Sequence, residues 1–172
     1  MKKVVLIGYM GSGKSVIAKK IAEKIGISVA ELDEIIEKEC EMSIEKIFAT
    51  KGELFFRKKE HEVFLRMLNS NSNLIISTGG GTPCYYNNHE LLHLEGVVSI
   101  YLKASIDTLF ERLVLEKSKR PLIANLPEDQ IKEFIAKHLF DRSYYYNQAA
   151  INVTIDGKSV EEIAAEIVEK LA

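Results

Sequence analysis

Gly8-Tyr9-Met10-Gly11-Ser12-Gly13-Lys14-Ser15 is the stretch from which the rest of the chain is read. It fits G-x-x-x-x-G-K-[ST], the phosphate-binding loop pattern. Val4-Val5-Leu6-Ile7 before it is a short apolar run of the kind that forms a buried strand. After it, Ile17, Ile21 and Ile25 fall on one helical stripe. Glycines let the backbone turn tightly enough to aim several N–H groups at one anion. The start of the following helix adds positive potential at the same spot. Gly11, Ser12, Gly13, Lys14, Ser15 and Val16 are therefore the expected ATP-binding residues of this loop. Lys14 is expected to reach the β- and γ-phosphates, and the Ser15 hydroxyl to ligate Mg²⁺. A glycine-rich strand-to-helix turn without a ligand is the bland alternative.

Working outward, strands are expected at 3–7, 28–32, 74–77, 97–102 and 151–155. Helices are expected at 14–25, 33–40, 43–49, 51–68, 88–93, 105–116, 128–143 and 159–171. Apolar, β-branched strands alternating with amphipathic helices imply an α/β domain, a parallel sheet covered on both faces. Asn69-Ser70-Asn71-Ser72-Asn73 reads as a polar loop. The segment 117–127, with Lys117, Lys119, Arg120, Pro121 and Pro127, has little periodicity and reads as a lid.

Composition narrows the function classes. The chain has 172 residues, 47% hydrophobic and 28% charged, which suits one domain over 1–172 with a full core. Net charge is −2 with no basic block, so nucleic acid is not an expected partner. No apolar run is long enough to span a membrane. Met1 to Gly8 mimics a signal peptide for a few residues, but its apolar part runs straight into the glycine loop. Cys40 and Cys84 make no disulfide scaffold, so free thiols in a reducing cytoplasm are expected.

In open α/β sheets ligands sit beyond the carboxyl ends of the strands. Glu31-Leu32-Asp33-Glu34 follows the second strand and Thr78-Gly79-Gly80-Gly81-Thr82 the third. A carboxylate at Asp33 can accept a proton from an attacking hydroxyl or hold Mg²⁺ through water; it can also cap the helix it opens. Arginine is scarce, five of 23 basic residues, so each one raises the question of why a planar fork is needed. Arg57 shares a helical stripe with Leu54, His61, Phe64 and Leu68, and so needs an anionic partner: a substrate carboxylate, or Glu53 or Glu60. Arg142 near the end of its helix is a second carboxylate candidate, or a charge complementing the helix C-terminus. Arg120 in the lid could meet a transferring phosphoryl group, and Arg112 could stack on an adenine face. Arg66 reads as solvated. Gly79, Gly80 and Gly81 let backbone approach a ligand. His89-Glu90-Leu91-Leu92-His93 matches H-E-x-x-H, but its helix looks short and lacks a third ligand, so an exposed helix is the reading. His61 and His138 read as structural or solvated, and Tyr144-Tyr145-Tyr146 as helix-end packing.

Taken in order, these pieces resemble shikimate kinase across nearly the whole chain. The matching segments are Gly8 to Ser15, Glu31-Leu32-Asp33, Ser43-Ile44 through Ile47 to Glu53, Phe56-Arg57, Gly79-Gly80-Gly81, Arg120-Pro121-Leu122, and Arg142 followed by Tyr146. The resemblance implies a nucleoside-monophosphate-kinase-like, three-layer α/β/α fold with strand order 2-3-1-4-5. It implies Mg·ATP-dependent phosphorylation of the shikimate 3-hydroxyl by a cytoplasmic monomer. Asp33 would bind shikimate hydroxyls and act as base, Arg57 and Arg142 would clasp the carboxylate, and Gly80 and Gly81 would offer backbone. A helical region at 33–68 would hold shikimate, and Arg120 would bridge lid and phosphates. The family usually has Asp-x-Asp after the second strand; here Glu31 stands at the first position, which acts in the Mg²⁺ outer shell. Ile155 to Lys158 is a candidate adenine loop. A gluconate-type or nucleoside-monophosphate kinase, or an ATP-binding module without an acceptor, are the competing readings.

Overall fold

The computed structural model describes residues 2–172. The elements in chain order are β1 (Lys3–Ile7), α1 (Lys14–Ile25), β2 (Ser28–Glu31), α2 (Leu32–Cys40), α3 (Ile44–Lys51), α4 (Glu53–Leu68), β3 (Leu74–Ser77), α5 (Asn88–Leu91), β4 (Val97–Lys103), α6 (Ile106–Leu115), α7 (Glu128–Tyr146), β5 (Ile151–Thr154) and α8 (Val160–Leu171). Every strand pairing is parallel, in the order β2-β3-β1-β4-β5, with helices on both faces. This is the order that the resemblance implies.

β1 is the centre of the sheet because it can be buried on both sides. Val4, Val5, Leu6 and Ile7 have no exposed surface, and burying each such side chain contributes roughly 1.5–3 kcal/mol. Lys3 is buried too, and its ammonium survives there by donating to the carbonyls of Ser70 (2.8 Å) and Ser72 in the polar loop before β3. The chain moves from β1 out to β2, returns to β3, then crosses over β1 to β4. That reversal opens a crevice beyond the carboxyl end of β1, where ligands settle in such sheets.

Helix boundaries differ from expectation where burial outweighs local signals. α2 starts at Leu32, not Asp33, because Leu32 is fully buried and draws the first turn in. Asp33 is therefore the second helical residue and not the cap; the cap position is Glu31, whose side chain makes no capping bond. α7 runs to Tyr146 because that ring is fully buried and stacks on Tyr101, with centroids 5.1 Å apart. The segment 117–127 has a 3₁₀ turn at Lys117–Lys119 and is pinned by Ile123, which is fully buried. No helix among the described residues is long and apolar enough to cross a membrane.

Candidate active site

A cavity of about 590 Å³ opens at the carboxyl ends of β1, β2 and β3. Its wall includes Lys14, Ser15, Glu31, Asp33, Gly79, Gly80, Arg112 and Arg120. The glycine loop and the Gly79-Gly80 pair thus face one space.

On the loop side, Gly13 sits at the N-cap of α1 in the left-handed region (φ 89°), where a side chain is strained. This turn aims the first N–H groups of α1 into the cavity. Lys14 is buried and its Nζ donates to the carbonyls of Gly8 (2.7 Å) and Tyr9 (3.1 Å). Burial pulls its pKa down to about 8; the Asp33 carboxylate works the other way and limits the fall. An ammonium held only by carbonyls lacks an anion, which is the partner that a phosphate would supply.

Ser15 Oγ donates to Glu31 Oε2 at 3.0 Å. Glu31 Oε1 and Asp33 Oδ1 are buried and find no hydrogen-bond donor among the described residues. A hydroxyl and two under-satisfied carboxylates beside a phosphate loop form a hard oxygen set. They fit Mg²⁺, which keeps several waters and takes few protein ligands. Asp33 has its pKa raised, chiefly by burial, with Lys14 opposing.

The triple glycine explains the other wall. These residues lack positive φ; what they provide is room. A Cβ on Gly81 would lie 2.8 Å from both Nη atoms of Arg57, one on Gly80 would lie 3.1 Å from Arg142 Nη1, and one on Gly79 would lie 3.1 Å from Asp33 Oδ1. Two guanidiniums and one carboxylate from three helices therefore converge on three consecutive glycines. Arg57 is buried, donates from Nη1 to Glu60 Oε1 (2.9 Å), lies 3.7 Å from Glu53, and stacks over Tyr85 at 3.9 Å. The ion-pair reading of Arg57 thus holds; Arg57 and Arg142 do not line the cavity themselves but stand against Gly81 and Gly80. Glu60 was legible only as that partner. Fully buried, it also accepts from Thr82 Oγ1 at 2.9 Å, and burial raises its pKa while Arg57 opposes. Tyr146 Oη donates to the Gly80 carbonyl at 2.5 Å, a role beyond helix-end packing.

Arg120 Nε and Nη2 both donate to Glu116 Oε2, at 3.2 and 2.8 Å, on the cavity rim. Arg112 Nη1 donates to the Gly11 carbonyl at 3.1 Å and so braces the loop. Val16 is exposed at the cavity. In the 155–158 segment, Asp156 accepts from the Ser105 N–H at 3.0 Å, tying that loop to the start of α6. His93 lies beyond α5, so it and His89 do not form a helical i, i+4 pair; His89 instead sets its edge against Tyr144 and Tyr145. His61 bonds to buried Asn88 behind the glycine turn, and Arg66 pairs on the surface with Glu39.

Comparison with known proteins agrees with this geometry. The sequence model of the family described as shikimate kinase matches residues 10–172. The chain is 56% identical over 172 residues, the whole of both proteins, to the shikimate kinase of Flavobacterium johnsoniae. It is 50% identical over 167 residues, 97% of each protein, to that of Flavobacterium psychrophilum. Among solved structures, the crystal structure of shikimate kinase from Bacteroides thetaiotaomicron superposes with a TM-score of 0.91 at 30% identity, covering 99% of this chain and 98% of that one.

Proposed function

The chain belongs to the shikimate kinase family, an ATP-dependent transferase family that phosphorylates a shikimate hydroxyl, and from that premise we propose which of its residues carry the reaction. The observation that supports the assignment is the convergence of Asp33, Arg57 and Arg142 on Gly79–Gly81, of which Asp33, Gly79 and Gly80 line the same cavity as Lys14. A ligand with one carboxylate and several hydroxyls matches two guanidiniums, one carboxylate and a glycine backbone turn.

In this reading the first turn of α1 cradles the ATP phosphates, and Lys14 leaves the Gly8 and Tyr9 carbonyls for the β- and γ-phosphates. Arg57 and Arg142 clasp the shikimate carboxylate and so orient its 3-hydroxyl. Asp33 accepts the hydroxyl proton as that oxygen attacks the γ-phosphorus; the bond to the β–γ bridging oxygen breaks, and its electron pair leaves with ADP. The raised pKa of Asp33 makes it a better proton acceptor than an ordinary aspartate. Ser15 would hold Mg²⁺ directly, with Glu31 and Asp33 reaching it through water. When bound, that ion supplies charge neutralisation on the phosphates. The segment 117–127 acts as the lid, and its closure brings Arg120 from Glu116 onto the phosphates and excludes water, which suppresses ATP hydrolysis.

ADP release is measured in a coupled assay with Mg·ATP, with and without shikimate, and with quinate, gluconate and AMP as controls. Release that requires shikimate is the expected outcome. Turnover with gluconate or AMP but not shikimate would overturn the acceptor assignment.

A further inference from the structure

α7 carries His138, Arg142 and Tyr146 at i, i+4 and i+8, so the three side chains rise from one face of one helix. Two of them are tied to the glycine turn: Tyr146 bonds to the Gly80 carbonyl, and Arg142 lies against the same residue. His138 reaches the other half of the site. Its Nδ1 is 3.0 Å from the hydroxyl of Tyr9, a residue of the phosphate loop, and the two rings meet edge to face with centroids 5.4 Å apart. Tyr9 is buried, and the Arg142 guanidinium stands 5.8 Å from its ring centroid. The backbone carbonyl of Tyr9 is one of the two that receive Lys14. One residue thus touches the phosphate-binding lysine through its backbone and the α7 stripe through its side chain.

We propose that the Tyr9–His138 hydrogen bond is a positioning contact: it sets how far Arg142 stands from the phosphate loop, and so the distance between the acceptor's carboxylate anchor and the phosphoryl donor. The inference rests on the reading of Arg142 as a carboxylate anchor. Phosphoryl transfer depends on in-line placement, and a displacement of about 1 Å can cost 10²-fold in rate, so a contact that fixes the spacing of the two subsites has direct kinetic weight.

The protonation states at this contact are fixed by its surroundings. Burial pushes the Tyr9 hydroxyl up to about 12, so it stays protonated. Burial, with the Arg142 charge beside it, holds His138 down to about 4, so it stays neutral. Tyr9 Oη is then the donor and His138 Nδ1 the acceptor. Phe134 packs edge-on against the imidazole at 5.2 Å and limits its rotation. The hydroxyl adds little to packing; a phenylalanine at position 9 would fill the same space and lose only the bond.

The test separates positioning from packing. His138→Phe and Tyr9→Phe each remove the bond and keep a ring. His138→Asn retains an acceptor near the position of Nδ1. Each variant is assayed for kcat, the KM of shikimate and of Mg·ATP, and thermal midpoint, beside the double variant and Arg142→Lys. Loss of one neutral buried hydrogen bond corresponds to a change of about fivefold. The shikimate KM should rise by that factor in both Phe variants while the ATP KM moves less than about twofold. His138→Asn should stay near the parent, and the double variant should be no worse than either single one. Equal rises in both KM values, a multiplicative double variant, or His138→Asn as impaired as His138→Phe would overturn the proposal. If Arg142→Lys leaves the shikimate KM unchanged, the anchor reading itself falls, and the inference with it. If Arg142→Lys raises that KM and the Phe variants do not, only the positioning inference falls.

Discussion

The two walls of the cavity are built on opposite principles. The wall proposed for the nucleotide is one continuous segment, Gly8 to Ser15, which would act through backbone geometry and a single buried lysine. The wall proposed for the acceptor is lined by α2 and the loop after β3, with Arg57 of α4 and Arg142 of α7 set against its glycines, and it acts through side-chain charge. Their glycines show the contrast. Gly13 is needed for its conformation: a Cβ there would meet Ile17 at 3.5 Å, an ordinary contact, but at φ 89°. Gly81 is needed for its space: at φ −96° any residue fits the backbone, but its Cβ would strike the Arg57 guanidinium. A wall made of backbone tolerates little change in path; a wall made of charges tolerates little change in volume or protonation.

The largest expected effect lies where the walls meet. Asp33→Asn keeps the shape and removes the proposed base, so kcat should fall about 10³-fold, within the range for lost general-base catalysis. The fold should not suffer. Burial raises the folded-state pKa of Asp33, so its contribution to stability is full below the unfolded value and is lost as pH rises through the folded one. Burial penalises the charged form of Asp33, a penalty that asparagine does not carry, and the thermal midpoint should hold or rise. Near-full turnover in single-turnover phosphoryl-transfer experiments would remove Asp33 from the chemistry.

Next is Gly81→Ala. Displacing Arg57 by the clash should raise the shikimate KM about 10²-fold, the scale for a misplacement near 1 Å, with nucleotide affinity intact. Gly13→Ala should do the reverse, weakening nucleotide binding through a left-handed strain of about 1–2 kcal/mol. Steady-state kinetics on both variants would break the comparison if each one impaired both substrates alike.

How well each wall could be read in advance follows the same division. The loop and its flanking strand and helix are contiguous, so residue type and spacing carry them. The strand runs were equally plain, because parallel strands buried on both faces are apolar throughout. The acceptor wall showed only as scarce arginines, an aspartate after β2 and a glycine run. Its partners were only partly visible. Glu60 could be read as a salt-bridge partner of Arg57, but its full burial and the bond it accepts from Thr82, 22 positions away, leave no local pattern. The meeting of Tyr9 with His138 joins residues 129 positions apart, for which no local pattern exists. Leu32 shifted the start of α2 because tertiary burial outweighed the capping preference of Asp33.

Arg120, in the proposed lid, gives a smaller effect. Glu116 holds Arg120 in an exposed i, i+4 pair, worth at most about 1 kcal/mol. Glu116→Gln should free Arg120 for the phosphates and lower the ATP KM by about two- to fivefold, leaving that of shikimate unchanged. An unchanged ATP KM would mean that the pair does not restrain the lid.

The smallest effect is the most discriminating, because it reads the charge state of the nucleotide wall itself. Lys14 has its pKa lowered to about 8 by burial, with carbonyls as its hydrogen-bond partners. Phosphate oxygens would supply the missing anion and raise it again. Nucleotide binding should therefore take up a proton: about a tenth of one at pH 7 and about half of one at pH 8, as the free lysine's protonated fraction falls. Calorimetry of Mg·ADP binding in buffers of different ionisation enthalpy measures this directly. Lys14→Met should abolish the uptake. Asp33→Asn should enlarge it at pH 8, since the Asp33 charge is the largest influence holding the Lys14 pKa up. That response would show the acceptor wall tuning the nucleotide wall through one pair of buried charges. An uptake indifferent to Asp33 would mean that the two walls are electrostatically independent, and that their coupling runs only through α7.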